Sequence, residues 1–446
     1  MKYTLRNHQN EFISFVTKTP YIGALAQHGM GSGKTLTTLH FLQEHFAKLR
    51  SSGQSATPKA LVIIPKSAHT TWQQECNKFI PEMYRSLLLI PYSQIHKAAQ
   101  ICFYHDIRAV VMDESHFVKN PDTERSKNLS ALFMTIHKSQ NSFKGGKIIL
   151  LSGTPMTNGA QEYYTSWAIT AAQTIEESAQ RIIDVKRFEK WKLTFAQRKE
   201  REWSTYRDGK KKGATHEGIQ NAEMLSQLLN PVIHYVAVED CIDLPAKQEI
   251  AIDLKLDDDR LLADADIEHP EAYMELLEKL ARAKTPYMLD WIRDYLHTST
   301  EQLVVFSNYL FPLQEAKATF AGKMELITGA QSNDERSAIL QKFQQGKLKV
   351  LGLTYGAGAE ALNLQNAACS LYHGYPWTYA KVAQAMARTH RGGQTRRTLH
   401  YFLTSGENDR QILGKVMRKK EDAETINELL YENTKNLGVL DLDTFI

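Results

Sequence analysis

The sequence predicts an α/β protein: two units, each a parallel sheet covered by helices, with a mainly helical insertion between them. Three observations predict this. The chain has 446 residues, too many for one ordinary core of roughly 100–200 residues. Short β-rich apolar runs alternate with longer amphipathic stretches, as in a sheet buried on both faces by crossover helices. The runs also come in two series, on either side of a segment of different texture.

In order, the first series is "IGALA" (22–26), "ALVII" (60–64), "SLLLI" (86–90), "AVVM" (109–112) and "IILL" (148–151). Residues 161–290 read mainly as amphipathic helix, with one extended piece, "LPAKQEIAIDLKL" (244–256). The second series is "LVVFS" (303–307), "MELIT" (324–328), "KVLGLT" (349–354), "CSLYH" (369–373) and "LHYFL" (399–403). Residues 407–446 read as a helical tail. The expected division is therefore 1–160, 161–290, 291–406 and 407–446. There is no solenoid-like repeat and no low-complexity linker.

Composition narrows the class. With 42% hydrophobic and 23% charged residues the chain is ordinary globular protein. No apolar run approaches the roughly 18 residues of a membrane span, and the first residues carry no signal-like apolar region, so a cytoplasmic location, in a bacterial cell or phage-infected host, and no membrane partner are expected. Cys76, Cys102, Cys241 and Cys369 lack metal-site spacing and read as reduced packing residues. The formal net charge of +4 decides little, but residues 186–212 hold eleven Lys/Arg against four Asp/Glu, interleaved with Phe188, Trp191, Phe195, Trp203 and Tyr206. Cations beside aromatics, with Lys210, Lys211 and Lys212 at the end, are a nucleic-acid footprint. The same pattern also describes a solvated helix face with its aromatics in the core.

"HGMGSGKT" (28–35) follows the first strand and opens a helical pattern. It matches G-x-x-x-x-G-K-[ST] except that His28 stands at the first glycine. In this context Gly29, Met30, Gly31, Ser32 and Gly33 form a loop whose N–H groups cradle phosphate, with Gly31 and Gly33 where the chain needs unusual dihedrals. Lys34 reaches the β/γ oxygens, and Thr35 can hold Mg²⁺. "AVVMDESH" (109–116) ends a buried strand in two carboxylates. There Asp113 can hold Mg²⁺ through water and Glu114 can orient or deprotonate the attacking water. In "QAMARTHRGGQ" (384–394), Gln384, Arg388 and Arg391 fall at i, i+4 and i+7, one face of a helix, and aim two guanidiniums at an incoming phosphate.

Together these segments resemble the motif set of Swi/Snf-type superfamily 2 helicases, in particular short phage or bacterial members. "DESHFVKN" (113–120) is similar to D-E-A-H-R-[LI]-K-N, "LRNHQ" (5–9) to L-R-x-Y-Q, and "LVIIPKSAHTTWQQECNKF" (61–79) to the segment with P-K-S and W-x-x-E. "LLSGTPMTN" (150–158), "DLPAK" (243–247) and "LTYGAGAEALNLQNA" (353–367) resemble L-T-G-T-P-x-x-N, E-L-P-P-K and S-T-x-A-G-G-x-G-[IL]-N-L-x-x-A. The resemblance runs over residues 5–394. Departures are His28, where the family commonly has an acidic residue, Tyr355 and Glu360 in the second-half motif, and "HGYPWTY" (373–379), a loose match to y-D-x-x-W-N-P.

The resemblance implies two RecA-like lobes, ATP and Mg²⁺ as cofactors, Gln9 as adenine reader, and Arg388 and Arg391 closing on the nucleotide from the second lobe. It implies phosphate contacts to DNA from Lys66, Ser67, Gly153 and Thr154 in the first lobe and from Asn308 and Thr354 in the second, with the 150–158 segment linking nucleotide state to DNA grip. The expected activity is an ATP-dependent DNA motor acting on branched or duplex DNA, alongside protein partners in replication, recombination or repair. Fork or junction remodelling is favoured over a duplex translocase that displaces bound proteins or drives a repair or restriction complex. Intact Lys34, Asp113, Glu114, Arg388 and Arg391 argue against a non-catalytic scaffold, and the motif variants favour DNA over RNA. With no space left for chromodomain- or bromodomain-like modules, nucleosome sliding is not expected.

Overall fold

A computed structural model describes residues 4–139, 143–153, 156, 158–205, 209–256, 270–358, 362–376 and 379–433. The first series of apolar runs forms β1 (Gly23–His28), β2 (Lys59–Ile64), β3 (Leu87–Pro91), β4 (Ile107–Asp113) and β5 (Lys147–Ser152). Then follow β6 (Gln197–Thr205), β7 (Gly209–Glu217), β8 (Ile233–Val236) and β9 (Lys247–Leu254). The second series forms β10 (Leu303–Ser307), β11 (Met324–Ile327), β12 (Val350–Thr354), β13 (Cys369–Tyr372) and β14 (Thr398–Ser405). The α/β class, with one parallel sheet in each half, is therefore what the chain adopts.

The chain divides into two compact units. The first comprises Met1–Lys199, Thr215–Cys241 and Glu421–Ile446, the second Glu200–Ala214 and Ile242–Lys420. In the first unit the sheet order is β3-β2-β4-β5-β1-β8, parallel throughout. Successive side chains of each strand enter opposite layers: Leu61 and Ile63 join one cluster with Val110, Met112 and Leu150, while Ala60, Val62 and Ile64 join another with Ala109, Val111 and Leu151. Burial on both faces is why these runs are continuously apolar rather than alternating. Trp72, Trp167, Trp191 and Phe46 are wholly buried there, each contributing on the order of 2 kcal/mol.

The second unit repeats the plan with order β11-β12-β10-β13-β14-β9, again parallel. Val304 and Phe306 face one cluster, Leu303 and Val305 the other. The extended piece expected at 244–256 is β9, an edge strand paired with β14 from Lys247↔Thr398 to Leu254↔Ser405.

The middle segment holds more strand than the one extended piece its pattern implies. Its helices are Tyr163–Thr170, Ile175–Ile182, Val185–Phe195, Ala222–Leu229, Val238–Cys241 and the start of Pro270–Thr298, but β6 and β7 form a separate two-stranded sheet and β8 joins β1. The physical reason is that charged residues recurring along "QRKEREWST" satisfy a strand as well as a helix when no apolar face commits them. In the helix Val185–Phe195, Phe188, Trp191 and Phe195 are core residues, so the packing alternative holds for these three aromatics. The tail helix runs Gly406–Asn433. Its Ile426 and Leu430 are buried in the first unit's core, and Asn427 Oδ1 accepts from Gln27 Nε2 at 2.6 Å. All four cysteines are free and buried. Among the described residues no helix is long and apolar enough to cross a membrane.

Candidate active site

Parallel strands deliver all their C-terminal ends to one edge of a sheet, where ligands of α/β proteins bind. In the first unit that edge carries the 28–33 loop after β1, Lys66 and Ser67 after β2, Asp113 and Glu114 after β4, and Gly153 after β5. Gly31 and Gly33 have φ of 78° and 84°, the left-handed region that glycine enters without steric cost. Gly33 caps the helix Lys34–Ser51, which points its N-terminal N–H groups and positive dipole end into the loop. Lys34 Nζ donates to the carbonyls of His28 at 2.9 Å and Gly29 at 3.1 Å. Burial lowers its pKa, and the charges of Glu114 and Asp113 act to raise it. Thr35 lies in the first helical turn.

Flanking residues hold this loop. Gln9 accepts from the Arg6 N–H at 2.8 Å and donates from Nε2 to the Gly33 carbonyl at 3.4 Å, and His8 Nε2 bonds the Ser32 carbonyl at 3.0 Å. A methyl group on Gly29 would meet Val238 Cγ2 at 1.7 Å, so the turn Val238–Cys241 lies directly over the loop. The His28 ring faces inward: it is 1% exposed, bonds His234 Nδ1 at 2.8 Å, and packs edge-on to Phe12 and His8. Burial, then His234, holds its pKa down at about 2, so the ring is neutral. His28 serves the loop through its carbonyl.

At the end of β4, Asp113 Oδ2 accepts from Trp72 Nε1 at 2.8 Å and Oδ1 from the Glu114 N–H at 3.0 Å. Burial and then Glu114's charge push its pKa up, against the Trp72 hydrogen bond and Lys34. Glu114 has φ 50°, ψ 53°, a left-handed conformation that costs a non-glycine residue about 1–3 kcal/mol and that recurs at functional sites. His116 Nδ1 lies 3.3 Å from its Oε2. The Tyr92 hydroxyl donates to the Asp113 carbonyl at 2.9 Å, and its ring stacks on Phe117. The donor set fits a magnesium nucleotide: a glycine-shaped loop at a helix N-terminus, a lysine amine held only by carbonyl oxygens among its bonds named above, and a carboxylate pair close enough to perturb it.

Further predicted residues fall at the same edges. Lys66 and Ser67 are exposed in the turn Lys66–Ala68. A methyl group on Gly153 would sit 3.3 Å from Met30 Cγ and 3.8 Å from Lys34 Nζ, which puts Gly153 beside the 28–33 loop. In the second unit the register Ser307↔Thr354 brings Thr354 beside Asn308, whose Nδ2 donates to the Tyr375 carbonyl. Gln384 and Arg388 lie on the helix Tyr379–Thr389, but Arg391 does not: the helix ends two residues before it. Leu364 N donates to the Arg388 carbonyl, Arg391 to the Leu362 carbonyl, and Gln394 Nε2 to the carbonyls of Gln365, Ala367 and Thr389. These bonds fold "RTHRGGQ" into a turn, so the expected i+7 position is lost. Tyr355, a departure from the motif, is a core residue stacked on Phe306, its hydroxyl donating to the Gly374 carbonyl at 2.8 Å. Thr154 and Glu360 lie outside the described residues, as do the side chains of Lys210, Lys211 and Lys212, whose backbone is in β7.

Sequence reasoning missed Trp72 as Asp113's partner, Val238 as the lid of the loop, and His234 as the hydrogen-bond partner of His28. Only Trp72 left a signal: a buried indole N–H needs an acceptor.

The model of the SNF2-related domain matches residues 8–90 and 82–263, more than half of the chain, and that of the helicase conserved C-terminal domain matches 287–393. The chain belongs to the SNF2-related family. This is the Swi/Snf-type branch of superfamily 2 helicases. Among curated relatives, the SWI/SNF-related matrix-associated actin-dependent regulator of chromatin subfamily A-like protein 1 of Xenopus laevis is 24% identical, covering 80% of this chain and 38% of its own. A Bacillus subtilis protein named as an ATP-dependent helicase/translocase, YwqA, is 25% identical over 97% of this chain and 49% of its own. The human DNA annealing helicase and endonuclease ZRANB3 is 23% identical over 88% and 38%. The chain thus spans half or less of the length of these relatives. A solved DUF1998 helicase, MrfA, bound to DNA, shares the fold with a TM-score of 0.53 at 14% identity, covering 94% of this chain and 51% of that one.

Proposed function

We propose that this SNF2-related chain hydrolyses ATP at the 28–35 loop and the Asp113–Glu114 pair and uses the energy to move on DNA, remodelling forks or junctions. The observation that carries the reading is the convergence of Lys34, with its amine bonded to loop carbonyls, and a carboxylate pair whose outer member is held in a left-handed conformation, all at one edge of a parallel sheet. Lys34 and the loop N–H groups bind the β- and γ-phosphates, and Gln9 reads the adenine. Asp113 and Thr35 hold Mg²⁺, which when bound neutralises phosphate charge. Glu114 orients the attacking water and takes its proton, while Trp72 and Tyr92 keep the Asp113 end of β4 in place. Gln384, Arg388 and Arg391 belong to the charge that builds on the transferred phosphate. Lys66, Ser67, Gly153, Asn308 and Thr354 belong to the DNA backbone path, so affinity falls steeply with salt and depends little on sequence.

Branched DNA is favoured over linear duplex by the basic 186–212 stretch, in which Lys186 and Lys190 are exposed, and by the annealing-helicase name of one relative. Steady-state ATP hydrolysis without DNA and with single strands, linear duplex and a four-way junction tests this, with Lys34→Ala as control. Stronger stimulation by the junction is expected. Equal stimulation by all duplexes points instead to a translocase that displaces bound proteins, and hydrolysis independent of Lys34 overturns the reading.

A further inference from the structure

Two of the chain's departures from its family's motifs meet in space. His8 stands at the tyrosine of L-R-x-Y-Q and His28 where an acidic residue is common, and their rings pack edge-on with centroids 5.6 Å apart. A third imidazole, His234 of β8, lies outside every motif segment and closes the group at 5.1 Å from the His28 ring.

Burying an imidazole costs free energy for each ring nitrogen left without a partner. The His28 ring is 1% exposed, its Nδ1 has no hydrogen-bond partner among the described residues, and its Nε2 lies 2.8 Å from His234 Nδ1. Phe12 and His8 pack against it edge-on, contacts that fill space without choosing which nitrogen points where. Among the described residues the His234 bond is therefore the one polar tie that fixes the orientation of the ring. The backbone is held from the same side: β8 runs beside β1 as far as His28↔Val236, and the Gly29 N–H donates to the Val236 carbonyl at 3.4 Å. The carbonyls of His28 and Gly29 are those that hold the Lys34 amine, so a shift of the His28 ring displaces the acceptors of Lys34. We propose that His234 is a positioning residue for the nucleotide: by orienting His28 from β8 it holds the start of the 28–33 loop in the shape that takes up a nucleoside triphosphate, and so sets affinity rather than the rate of the chemical step. This rests on the functional reading above. The bond is made to a buried side chain and not to the ligand, so it acts equally on ground and transition states, and an interaction of that kind changes KM without changing kcat.

Two substitutions separate the bond from the packing. His234→Phe keeps a ring against Phe12 and Phe15, whose centroids lie 5.8 and 5.5 Å from the native ring, and deletes the polar atom. His234→Asn gives up the ring but presents an oxygen or amide nitrogen at the Nδ1 position, which serves either tautomer of His28. In the full chain, binding of the non-hydrolysable analogue MgAMP-PNP is measured by calorimetry and MgATP hydrolysis at steady state, with native protein alongside. His234→Phe is expected to weaken binding and raise KM at least tenfold with kcat within twofold of native, and His234→Asn to stay within threefold in binding and KM. Equal weakening by both, or the reverse order, assigns His234 to packing alone and overturns the proposal, as does native affinity in His234→Phe or a fall in kcat as large as the rise in KM. If His234→Phe melts well below native, His234→Val, which suits a strand and also lacks the polar atom, replaces it and is read the same way. A native chain that neither binds the analogue nor hydrolyses MgATP sinks the functional reading itself, and is distinct from a native chain that binds and a His234→Phe variant that binds equally.

Discussion

Each unit draws a lysine inward, Lys284 fully buried and Lys34 half-buried, and the two are treated oppositely. In the second, Lys284 is 2% exposed and faces Asp409, also 2% exposed, at 2.7 Å, with the Leu403 carbonyl as a further acceptor and the Tyr375 ring beneath the amine. Asp409 also accepts from the Ser405 N–H at 2.9 Å. That cation is neutralised within the fold. In the first unit Lys34 bonds two carbonyls of its own loop, while Asp113 and Glu114 act on it electrostatically. A lysine closed by a carboxylate is structural, whereas one closed by carbonyls keeps positive charge for an anion. The same strand plan thus carries a sealed ion pair in one half and an amine bonded to loop carbonyls in the other.

The sharpest way to break this comparison is to remove each amine. Lys284→Met leaves Asp409 buried without its cation and is expected to destabilise the second unit by about 3–5 kcal/mol, with the double variant Lys284→Met, Asp409→Leu recovering most of the loss. Urea unfolding measures both. Lys34→Ala has the opposite signature: ATP hydrolysis falls by about 10²–10³-fold or more, while the melting temperature holds or rises because a desolvated cation is gone. Equal destabilisation by both substitutions would erase the distinction.

A smaller effect tests where the units are alike. Burial holds His28 at about 2 and His234 at about 4 in the first unit, and His373 and His400 at about 3 in the second, all below the ordinary 6.5. With the folded pKa lowered, the unfolded chain takes up protons first, so stability is full above pH 6.5 and is lost as pH falls below it. Each such histidine contributes about 1.4 kcal/mol per pH unit in that window. Calorimetry between pH 7 and 5 should show both units softening, with a shallower slope after His400→Phe or His28→Phe; a flat profile contradicts neutral burial. The smallest expected change in stability is at Glu114: Glu114→Gly relieves the left-handed backbone and should raise stability by about 1 kcal/mol while abolishing hydrolysis, read by melting and steady-state rates. A fall in stability would mean the strain is not stored there.

What was legible in the sequence follows from burial. All ten strands of the two series were visible because a strand covered on both faces must be apolar throughout, and the loop "HGMGSGKT" because Gly31 and Gly33 supply the left-handed dihedrals that its tight turn takes before a helix. β8 was invisible: "IHYV" is four residues whose strand character depends on β1 being beside it. The β6–β7 pair was misread because charge recurrence alone does not separate periods of 2 and 3.6.

By itself, then, the sequence determined the parallel-sheet halves, the glycine-rich loop before the helix Lys34–Ser51, the D-E pair at the end of β4 and the family, since each is a local pattern of residue type and spacing. Only the tertiary structure decided that the His28 ring turns inward to His234, that Arg391 lies past the end of its helix, and that Val238 covers Gly29 from more than two hundred residues away. Those are long-range pairings. Nothing in one segment's periodicity encodes which distant donor will reach it, and only packing of the whole chain selects the partner.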